Sequence, residues 1–235
     1  LTSGSNASLS FVKQNNLFFS MEPIRNFTVR LDASLQNIIS ANPEKFNLDF
    51  YKDNTLKSGL TDFHTTFSLV LQPGAKYVQY GVDRTTLRTL APTFILKYTH
   101  GFANVLEGDF DYNKLQFLYA QKILLGNLGK TNVNFEAGKN FDAVPLAIQT
   151  IIPGNQSYFL AFNTFTLLKY YEFVADTYTT MNVEHHFNGK LISYVPLIKK
   201  LKLRELIFFR GAYGTLSDAA KNINFDNKRY SAPDQ

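Results

Sequence analysis

The segment from residue 170 to residue 214 constrains the fold most strongly, because it holds two runs of strand-type residues. Successive side chains of a β-strand point to opposite faces, so a period of two predicts an extended strand. The first run covers residues 178 to 187 and places Met181, Val183 and Phe187 on one face. The second run covers residues 206 to 213. Both runs predict strands, and the open question is whether their apolar face lies against a second sheet or against lipid.

The composition extends this prediction to the whole chain. A length of 235 residues allows one large β domain or two small ones. Phe and Tyr favour strands, and aromatic residues make up 15% of the chain, whereas charged residues make up only 18%. The absence of Cys excludes disulfides and thiol chemistry. We therefore expect an all-β, antiparallel fold.

Similar alternation recurs through the rest of the chain, in roughly ten strands of about eight to fourteen residues. The clearest earlier runs are residues 27–35, 46–51, 63–71, 93–99, 111–125 and 131–138. The polar residues 13 to 16 predict a turn. Residues 139 to 174 break the pattern, and we interpret residues 144 to 171 as a functional loop that partly fills an enclosed interior. An ordinary long surface loop is the alternative.

The length and chemistry of the runs favour a membrane barrel over a soluble β-sandwich. No run of about 18 apolar residues exists, which excludes a transmembrane helix but leaves a transmembrane barrel open. Several runs exceed the usual strand length, their polar sides mix acidic, basic and amide groups, and aromatic residues cluster near their ends. The absence of Trp counts against the barrel, since Trp is favoured at membrane interfaces.

The net charge of +5 does not predict a nucleic-acid interface. The basic residues are scattered, apart from the cluster KKLKLR at residues 199 to 204. Binding to nucleic acid would need a broader patch within a recognised module. We interpret the cluster as a basic loop near anionic headgroups or solvent.

Eight blocks of sequence occur in an order that resembles a known family. They are PTFILKYTHG (92–101), FDYNK (110–114), EAGK (136–139), VPL (144–146), PGNQ (153–156), YEFVAD (171–176), EHHFNG (184–189) and PLIKKLKLRE (196–205). In this order they resemble a family of Bacteroidota outer-membrane proteins. That family carries an N-terminal carboxypeptidase-regulatory-like β-sandwich ahead of a barrel and is catalogued as a domain of unknown function. The resemblance covers roughly residues 90 to 216.

The barrel of that family in turn resembles the sixteen-stranded barrels of the BamA-type outer-membrane assembly superfamily. Residues 181–187 and 203–214 are similar to two neighbouring late strands of that superfamily. One departure matters, because the superfamily carries a Val-Arg-Gly-Phe/Tyr motif on a loop folded into the interior. The matching residues 162 to 171 contain no Arg-Gly, and Arg210-Gly211 follows a different strand. The resemblance therefore implies the fold without implying insertase activity.

The fold implied by this resemblance is an antiparallel transmembrane β-barrel of about sixteen strands in the full protein, part of them in this chain. The chain begins at Leu1 without a signal peptide and ends in a loop-like stretch. We therefore expect residues 1–235 to be an internal portion of the barrel domain of a longer chain.

The side chains that could carry chemistry predict neither a metal site nor an enzyme. On a strand, His185 and His186 point to opposite faces, so they cannot share one ion. Glu184 and His186 share a face but supply two ligands, whereas a metal site needs three or four. No nucleophile elbow, phosphate loop or zinc-protease motif occurs. We expect no cofactor.

The predicted functional feature is a polar network that lines the interior and holds a plug closed. In it, Glu172 and Asp176 would pair with Arg30 or Arg210. The candidate network residues are Glu172, Asp176, Glu184, His186 and Arg210.

The function predicted from these features is that of a non-enzymatic barrel in the bacterial outer membrane. It would be an accessory or assembly-related component of the outer-membrane protein machinery. Its expected partners are outer-membrane lipid, lipopolysaccharide and other outer-membrane proteins. Two alternatives stay open: a transport channel for small solutes, and a soluble extracellular β-sheet binding module.

Overall fold

The structure is a computed structural model, and it describes residues 9–81, 83–87, 90–154, 164–165, 168, 171–194, 201 and 203–224. Within these ranges strands dominate, and the strand bounds follow in chain order. They are β1 (Ser10–Ile24), β2 (Phe27–Ser40), β3 (Phe50–Lys52), β4 (Thr55–Lys57), β5 (Leu60–Leu71), β6 (Tyr77–Tyr80), β7 (Asp83–Thr86), β8 (Thr93–Gly101), β9 (Tyr112–Leu124), β10 (Lys130–Asn140), β11 (Thr150–Ile151), β12 (Val174–Ala175), β13 (Thr177–His186) and β14 (Leu206–Thr215). Helix α1 (Asp218–Ile223) follows β14, and single 3-10 turns lie at Gly126–Leu128 and Ile192–Tyr194.

Eight of these strands form one antiparallel sheet in the order β1-β2-β5-β8-β9-β10-β13-β14. Each long strand therefore pairs with the long strand that comes before it and the one that comes after it. The prediction of an all-β, antiparallel fold is confirmed. Within the described residues β1 and β14 are the two edges of the sheet and do not pair with each other, so closure into a barrel stays a prediction.

Two of the smaller predictions are wrong. Residues 13 to 16, predicted as a turn, lie inside the continuous 15-residue strand β1. Pairing of Lys13 with Asn37 and of Asn15 with Leu35 fixes them in an extended conformation despite their polar character. The run at residues 46 to 51, predicted as a strand, enters a short hairpin only from Phe50, and its apolar side chains pack into a buried core instead.

The strand register divides the large sheet into an apolar face and a polar face. One row of the apolar face consists of Phe19, Leu31, Phe67, Tyr98 and Leu115, and the next consists of Met21, Val29, Leu69, Leu96 and Phe117. The row of the polar face between them consists of Ser20, Arg30, Ser68, Lys97 and Gln116. The alternation predicted from the sequence is thus preserved from strand to strand.

Over much of the sheet the apolar face is more exposed than the polar face, which is the reverse of a soluble sheet. On the apolar face Phe19 is 64% exposed and Phe67 is 42% exposed. On the polar face Ser68 is 5% exposed, and Thr99 and Thr180 are also buried. A soluble antiparallel sheet normally turns its apolar side inward and its polar side to water. The apolar face of this sheet is therefore exposed.

The two ends of the sheet differ in their connections. The turn end carries residues 25–26, 72–92, 125–129 and 187–205, which include the tight β1–β2 and β9–β10 turns. The loop end carries residues 41–59, 102–111 and 141–176, together with residues 216–224 after β14. The compact core of the molecule lies at the loop end, and we call it the cap. Its buried members are Ile38, Phe46, Leu48, Phe50, Leu60, Leu146 and Val174.

The cap joins strands that are remote from one another in the sheet. Ile38 of β2 packs in the same core as Val174, which precedes β13. Five strand spacings separate β2 from β13, or about 24 Å in a flat sheet. Asn224 completes the cap, because its Oδ1 accepts a hydrogen bond from the Leu146 N–H at 2.8 Å and its backbone bridges to Phe50. The cap therefore covers the sheet at the loop end on the side of the polar face.

Candidate functional site

The polar face carries a chain of buried hydrogen bonds centred on two tyrosines. The hydroxyl of Tyr178 accepts a hydrogen bond from Gln116 Nε2 at 2.8 Å and donates one to Glu136 Oε1 at 2.6 Å. Nearer the loop end, the Tyr112 hydroxyl donates to Asp62 Oδ2 at 3.3 Å. The imidazole of His64 lies against the same oxygen, with Nδ1 at 2.7 Å. Such networks hold the polar groups that folding removes from water.

Each tyrosine lies over a glycine of the neighbouring strand. Tyr178 pairs with Gly138, and Tyr112 pairs with Gly101. A Cβ atom at Gly101 would lie only 2.1 Å from the Tyr112 ring, so the ring occupies the space that a side chain would need. Aromatic rings that cover cross-strand glycines are a recurring device for building curved sheets.

The sequence reasoning missed these Tyr–Gly pairs. The available signal was the presence of Tyr on the polar side of two alternating runs, where small or charged residues are usual. The pairing itself depends on strand register, which the sequence does not state.

Three of the predicted network residues lie together on two neighbouring strands. Glu184 and His186 both lie on the polar face of β13, and His186 Nε2 contacts Glu184 Oε1. Arg210 of β14 lies opposite Asn182. His185 faces the other way, with Nδ1 2.8 Å from Thr131 Oγ1, as the alternation predicts.

Arg210 contacts the irregular segment that was predicted to fill the interior. Its Nη1 donates a hydrogen bond to the backbone carbonyl of Thr164 at 2.5 Å. Most of residues 155 to 170 lie outside the described part of the chain, but this contact places Thr164 at the polar face. Residues 150 to 153 also lie against this face, where they border a cavity with Tyr178 and Glu136.

The remaining predicted residues lie at the loop end, away from Arg210. Asp176 precedes β13, and its Oδ2 accepts a hydrogen bond from the Ser217 N–H at 2.8 Å. Asp176 is six positions from Asn182, the residue opposite Arg210, which corresponds to about 20 Å along a strand. The Arg210–Asp176 ion pair suggested by the sequence is therefore not formed. Glu172 is exposed beside Tyr171.

Arg30 also has a different partner from the predicted one. Its Nε donates to Asp32 Oδ2 at 2.8 Å, two residues along the same strand. The ion pair is therefore local to β2 and does not reach the irregular segment.

The cavities along the described part of the polar face include a larger and a smaller one beside Asn182. The larger has a volume of about 350 Å³ and is bordered by the charged residues Lys122, Glu184 and Arg210. The smaller has a volume of about 220 Å³. Asn182 lines both, and its buried Oδ1 has no hydrogen-bond partner among the described residues. The larger cavity can thus offer cationic, anionic and amide groups to a polar solute.

The part of the chain that the structure describes contains no group of three or more metal-ligating side chains. Glu184 and His186 supply two such groups at most. Within the same residues, no helix combines the length and the apolar character needed to traverse a bilayer.

An ion cluster fixes the cap to the connection between β8 and β9. Asp109 Oδ1 accepts hydrogen bonds from Lys52 Nζ at 3.1 Å and Lys57 Nζ at 2.9 Å, while Oδ2 accepts one from the Thr61 N–H at 3.0 Å. Desolvation raises the pKa of Asp109, but these hydrogen bonds outweigh it and hold the pKa below the ordinary value for Asp. The carboxylate is therefore charged at neutral pH and ties three chain segments together.

A carboxylate also organises the turn end. Glu205 accepts hydrogen bonds from the backbone N–H groups of Gly189, at 2.7 Å, and Ile192. Partial desolvation raises the pKa of Glu205, but the hydrogen bonds from these backbone amides hold it below the ordinary value for Glu. The Glu205 carboxylate thus interacts with backbone groups of the connection between β13 and β14.

Comparison with known proteins identifies a family. The model of the C-terminal domain of a family of unknown function, DUF5686, matches residues 12–218. No curated protein and no solved structure matches the chain. The match spans β1 to β14, so it includes both faces of the large sheet and the cap. The chain therefore belongs to the DUF5686 C-terminal domain family, whose function is unknown.

Proposed function

We propose that the chain forms part of the wall of a plugged, non-enzymatic β-barrel in the bacterial outer membrane. In this proposal the apolar face contacts acyl chains and the polar face lines the interior. The protein acts there as an accessory or assembly-related component of the outer-membrane protein machinery. The observation that carries the proposal is the reversed exposure of the two faces.

The continuity of the exposed apolar surface supports a membrane location over a soluble sheet. An unbroken row of exposed side chains crosses five strands. It consists of Phe19, Leu31, Phe67, Tyr98 and Leu115. Large apolar patches on soluble proteins mark interaction surfaces, and the hydrocarbon core of a membrane would cover this one completely. The alternative of a soluble β-sheet module would leave it in water.

Strand length supports the same proposal. The eight strands of the large sheet contain 9 to 15 residues, and a tilted strand needs about 9–11 residues to cross a bilayer. A strand at the edge of a sheet exposes unpaired backbone groups, which lipid cannot satisfy. In a membrane β1 and β14 would therefore have to pair with further strands. A barrel of about sixteen strands, as the resemblance to the BamA-type superfamily implies, would supply them.

The contact of Arg210 with Thr164 supports the plug. It joins a charged side chain of the polar face to the irregular segment between β10 and β13. The same segment borders the smaller cavity through residues 150 to 153. A plugged interior fits a structural or assembly role better than an open pore.

The proposal also includes three features that the family resemblance implies. They are membership of a Bacteroidota outer-membrane family, an N-terminal carboxypeptidase-regulatory-like domain and kinship with the assembly superfamily. Because residues 162 to 171 lack an Arg-Gly pair, we propose an accessory role rather than insertase activity. The proposed partners are outer-membrane lipid, lipopolysaccharide and other outer-membrane proteins.

Transport of small solutes is the second candidate function, and the larger cavity favours it. A volume of about 350 Å³ with Lys122, Glu184 and Arg210 at its border could hold a small polar solute. Purification from native membranes, followed by identification of bound proteins, would support the accessory role. Flux of solutes into liposomes, without any bound assembly component, would support transport instead.

The membrane proposal can be tested with single tryptophans, because the chain contains none. Phe67→Trp places a reporter on the apolar face, and Leu118→Trp places one on the polar face beside the smaller cavity. In vesicles we expect lipids brominated on their acyl chains to quench the first reporter strongly and the second weakly. A protein that stays monodisperse in buffer without detergent, with neither reporter quenched by lipid, would contradict the proposal.

A further inference from the structure

The two ends of the sheet carry opposite charge. The turn-end connections, residues 25–26, 72–92, 125–129 and 187–205, contain nine Lys and Arg residues and two acidic residues. The loop-end segments, residues 41–59, 102–111, 141–176 and 216–224, contain five basic and ten acidic residues. Charge is therefore distributed unevenly along the strand direction, with an excess of basic residues at the turn end and of acidic residues at the loop end. The net charge of +5 does not show this difference.

The acidic residue of the turn end whose contacts are described does not cancel this charge at the surface. The Glu205 carboxylate is bound by the amides of Gly189 and Ile192, within its own connection. Arg25, Lys76 and Arg204 are exposed. Among the described residues, the turn end therefore exposes basic side chains.

Every turn-end connection also presents an exposed apolar or aromatic side chain at or beside the strand ends. Ile24 at the end of β1, and Tyr80, Leu128 and Tyr194 on the other three connections, are all exposed. Basic and aromatic or aliphatic side chains mixed at one level are typical of protein surfaces that sit among lipid headgroups. At the loop end Leu56, Leu106 and Phe141 are exposed as well, so the two ends differ in charge and not in apolar exposure.

We infer that the turn end is a docking surface for anionic phospholipid headgroups, and that it orients the sheet with this end in a leaflet rich in such lipids. The inference rests on the proposed membrane location. Basic side chains near an anionic leaflet gain electrostatic attraction that neutral lipid does not supply. The acidic loop end is repelled from the same surface, so the polarity favours one orientation over its reverse.

Lipid selectivity at each end can be measured with matched aromatic substitutions. Tyr194→Trp places the reporter at the turn end, and Phe141→Trp places one at the loop end, where Phe141 is exposed beyond β10. The full chain is reconstituted into phosphatidylcholine vesicles that contain equal fractions of brominated phosphatidylglycerol or brominated phosphatidylcholine. We expect the Tyr194→Trp reporter to be quenched about five- to tenfold more effectively by the anionic lipid. The Phe141→Trp reporter should show no such preference.

Charge substitutions then identify the cause. Lys190→Gln with Arg204→Gln, both in the connection that carries Tyr194, should abolish most of the preference. Lys45→Gln with Lys221→Gln removes the same charge from the loop-end segments and should leave it intact.

Three outcomes would overturn the inference. Equal quenching by both lipids at Tyr194→Trp, or an equal anionic preference at both ends, would show that the turn end is not selective. In a second set of vesicles that also contains lipopolysaccharide, its enrichment at Tyr194→Trp in place of phosphatidylglycerol would assign the turn end to the opposite leaflet. In all three cases acyl-chain quenching of Phe67→Trp would still support the membrane location. If that reporter is not quenched either, the proposed function itself fails.

Discussion

The ring of Tyr178 lies over Gly138 on the neighbouring strand, so closely that a Cβ atom on the glycine would lie 2.5 Å from Cε1 of the ring. The ring cannot easily move aside, because its hydroxyl is held by Gln116 and Glu136 and the residue is buried. Glycine at this position is therefore required by the packing of the polar face and not by backbone conformation.

We predict that Gly138→Ala destabilises the fold by about 1–3 kcal/mol, as overpacking of a filled site does. The control is Gly211→Ala, because a Cβ atom there would meet only Phe209 at 3.4 Å. The measurement is the free energy of unfolding of both variants under the same lipid or detergent conditions. The cost of Gly138→Ala should fall in the background of Tyr178→Ala, since the clash is then removed. Equal costs for the two glycines would contradict this assignment.

The membrane location predicts that two similarly exposed leucines respond differently to charge. Leu96 is 40% exposed in the middle of β8, and Leu87 is 46% exposed in a turn-end connection. Leu96→Arg should cost about 2–4 kcal/mol in vesicles if Leu96 faces hydrocarbon near the midplane. Leu87→Arg should cost little, since it lies outside the strands of the large sheet. Urea titration of the unfolding equilibrium in vesicles measures both, and equal costs would favour a soluble surface.

The alternation of side chains was sufficient to predict the strands and the faces of β13 and β14. Met181 and Val183 share a face opposite to Glu184 and His186, as expected. Period-two patterning is a local property, so it can be read without knowledge of the pairing partner. The same reasoning correctly placed His185 and His186 on opposite faces of the strand.

The cap and the polar contacts could not be predicted in the same way. Phe46, Leu48 and Phe50 alternate like a strand, but they fill a core that also contains Leu146 and Val174, more than 90 positions away. The contact of Arg210 with Thr164 likewise depends on how the chain returns over the sheet. Long-range packing of this kind overrides local propensity, and no local pattern encodes it.

The Asp109 cluster predicts a pH dependence with a defined sign. Because the folded-state pKa of Asp109 lies below its ordinary value, the carboxylate stabilises the fold above about pH 4 and loses this effect as the pH falls through the folded pKa. Asp109→Asn should therefore lower stability by about 1–2 kcal/mol at pH 7 and by much less at pH 3. Thermal unfolding at the two pH values tests this.

The matched control for that experiment is Asp53→Asn. Asp53 lies in the turn of the same hairpin and has a φ of 50°, a conformation that Asn also adopts readily. Asp53→Asn should have little effect on the stability of the fold at either pH. A cost for Asp109→Asn that is the same at pH 7 and pH 3 would show that shape, and not charge, holds the connection.

The contact between Arg210 and Thr164 predicts how the interior opens. If the irregular segment is a plug held at the polar face, Arg210→Gln should weaken its attachment and raise the conductance of the reconstituted full chain in planar bilayers. Removal of residues 155 to 169 should raise it further, because the anchored carbonyl of Thr164 leaves with the segment. Arg30→Gln is the matched control: it removes the same charge from the polar face, but Arg30 is bound to Asp32 within β2. The conductance of the Arg30→Gln variant should stay at the level of the unmodified protein. Conductance that does not change on removal of residues 155 to 169 would show that the segment does not block a pathway, and the contact of Arg210 would then serve only to position a loop.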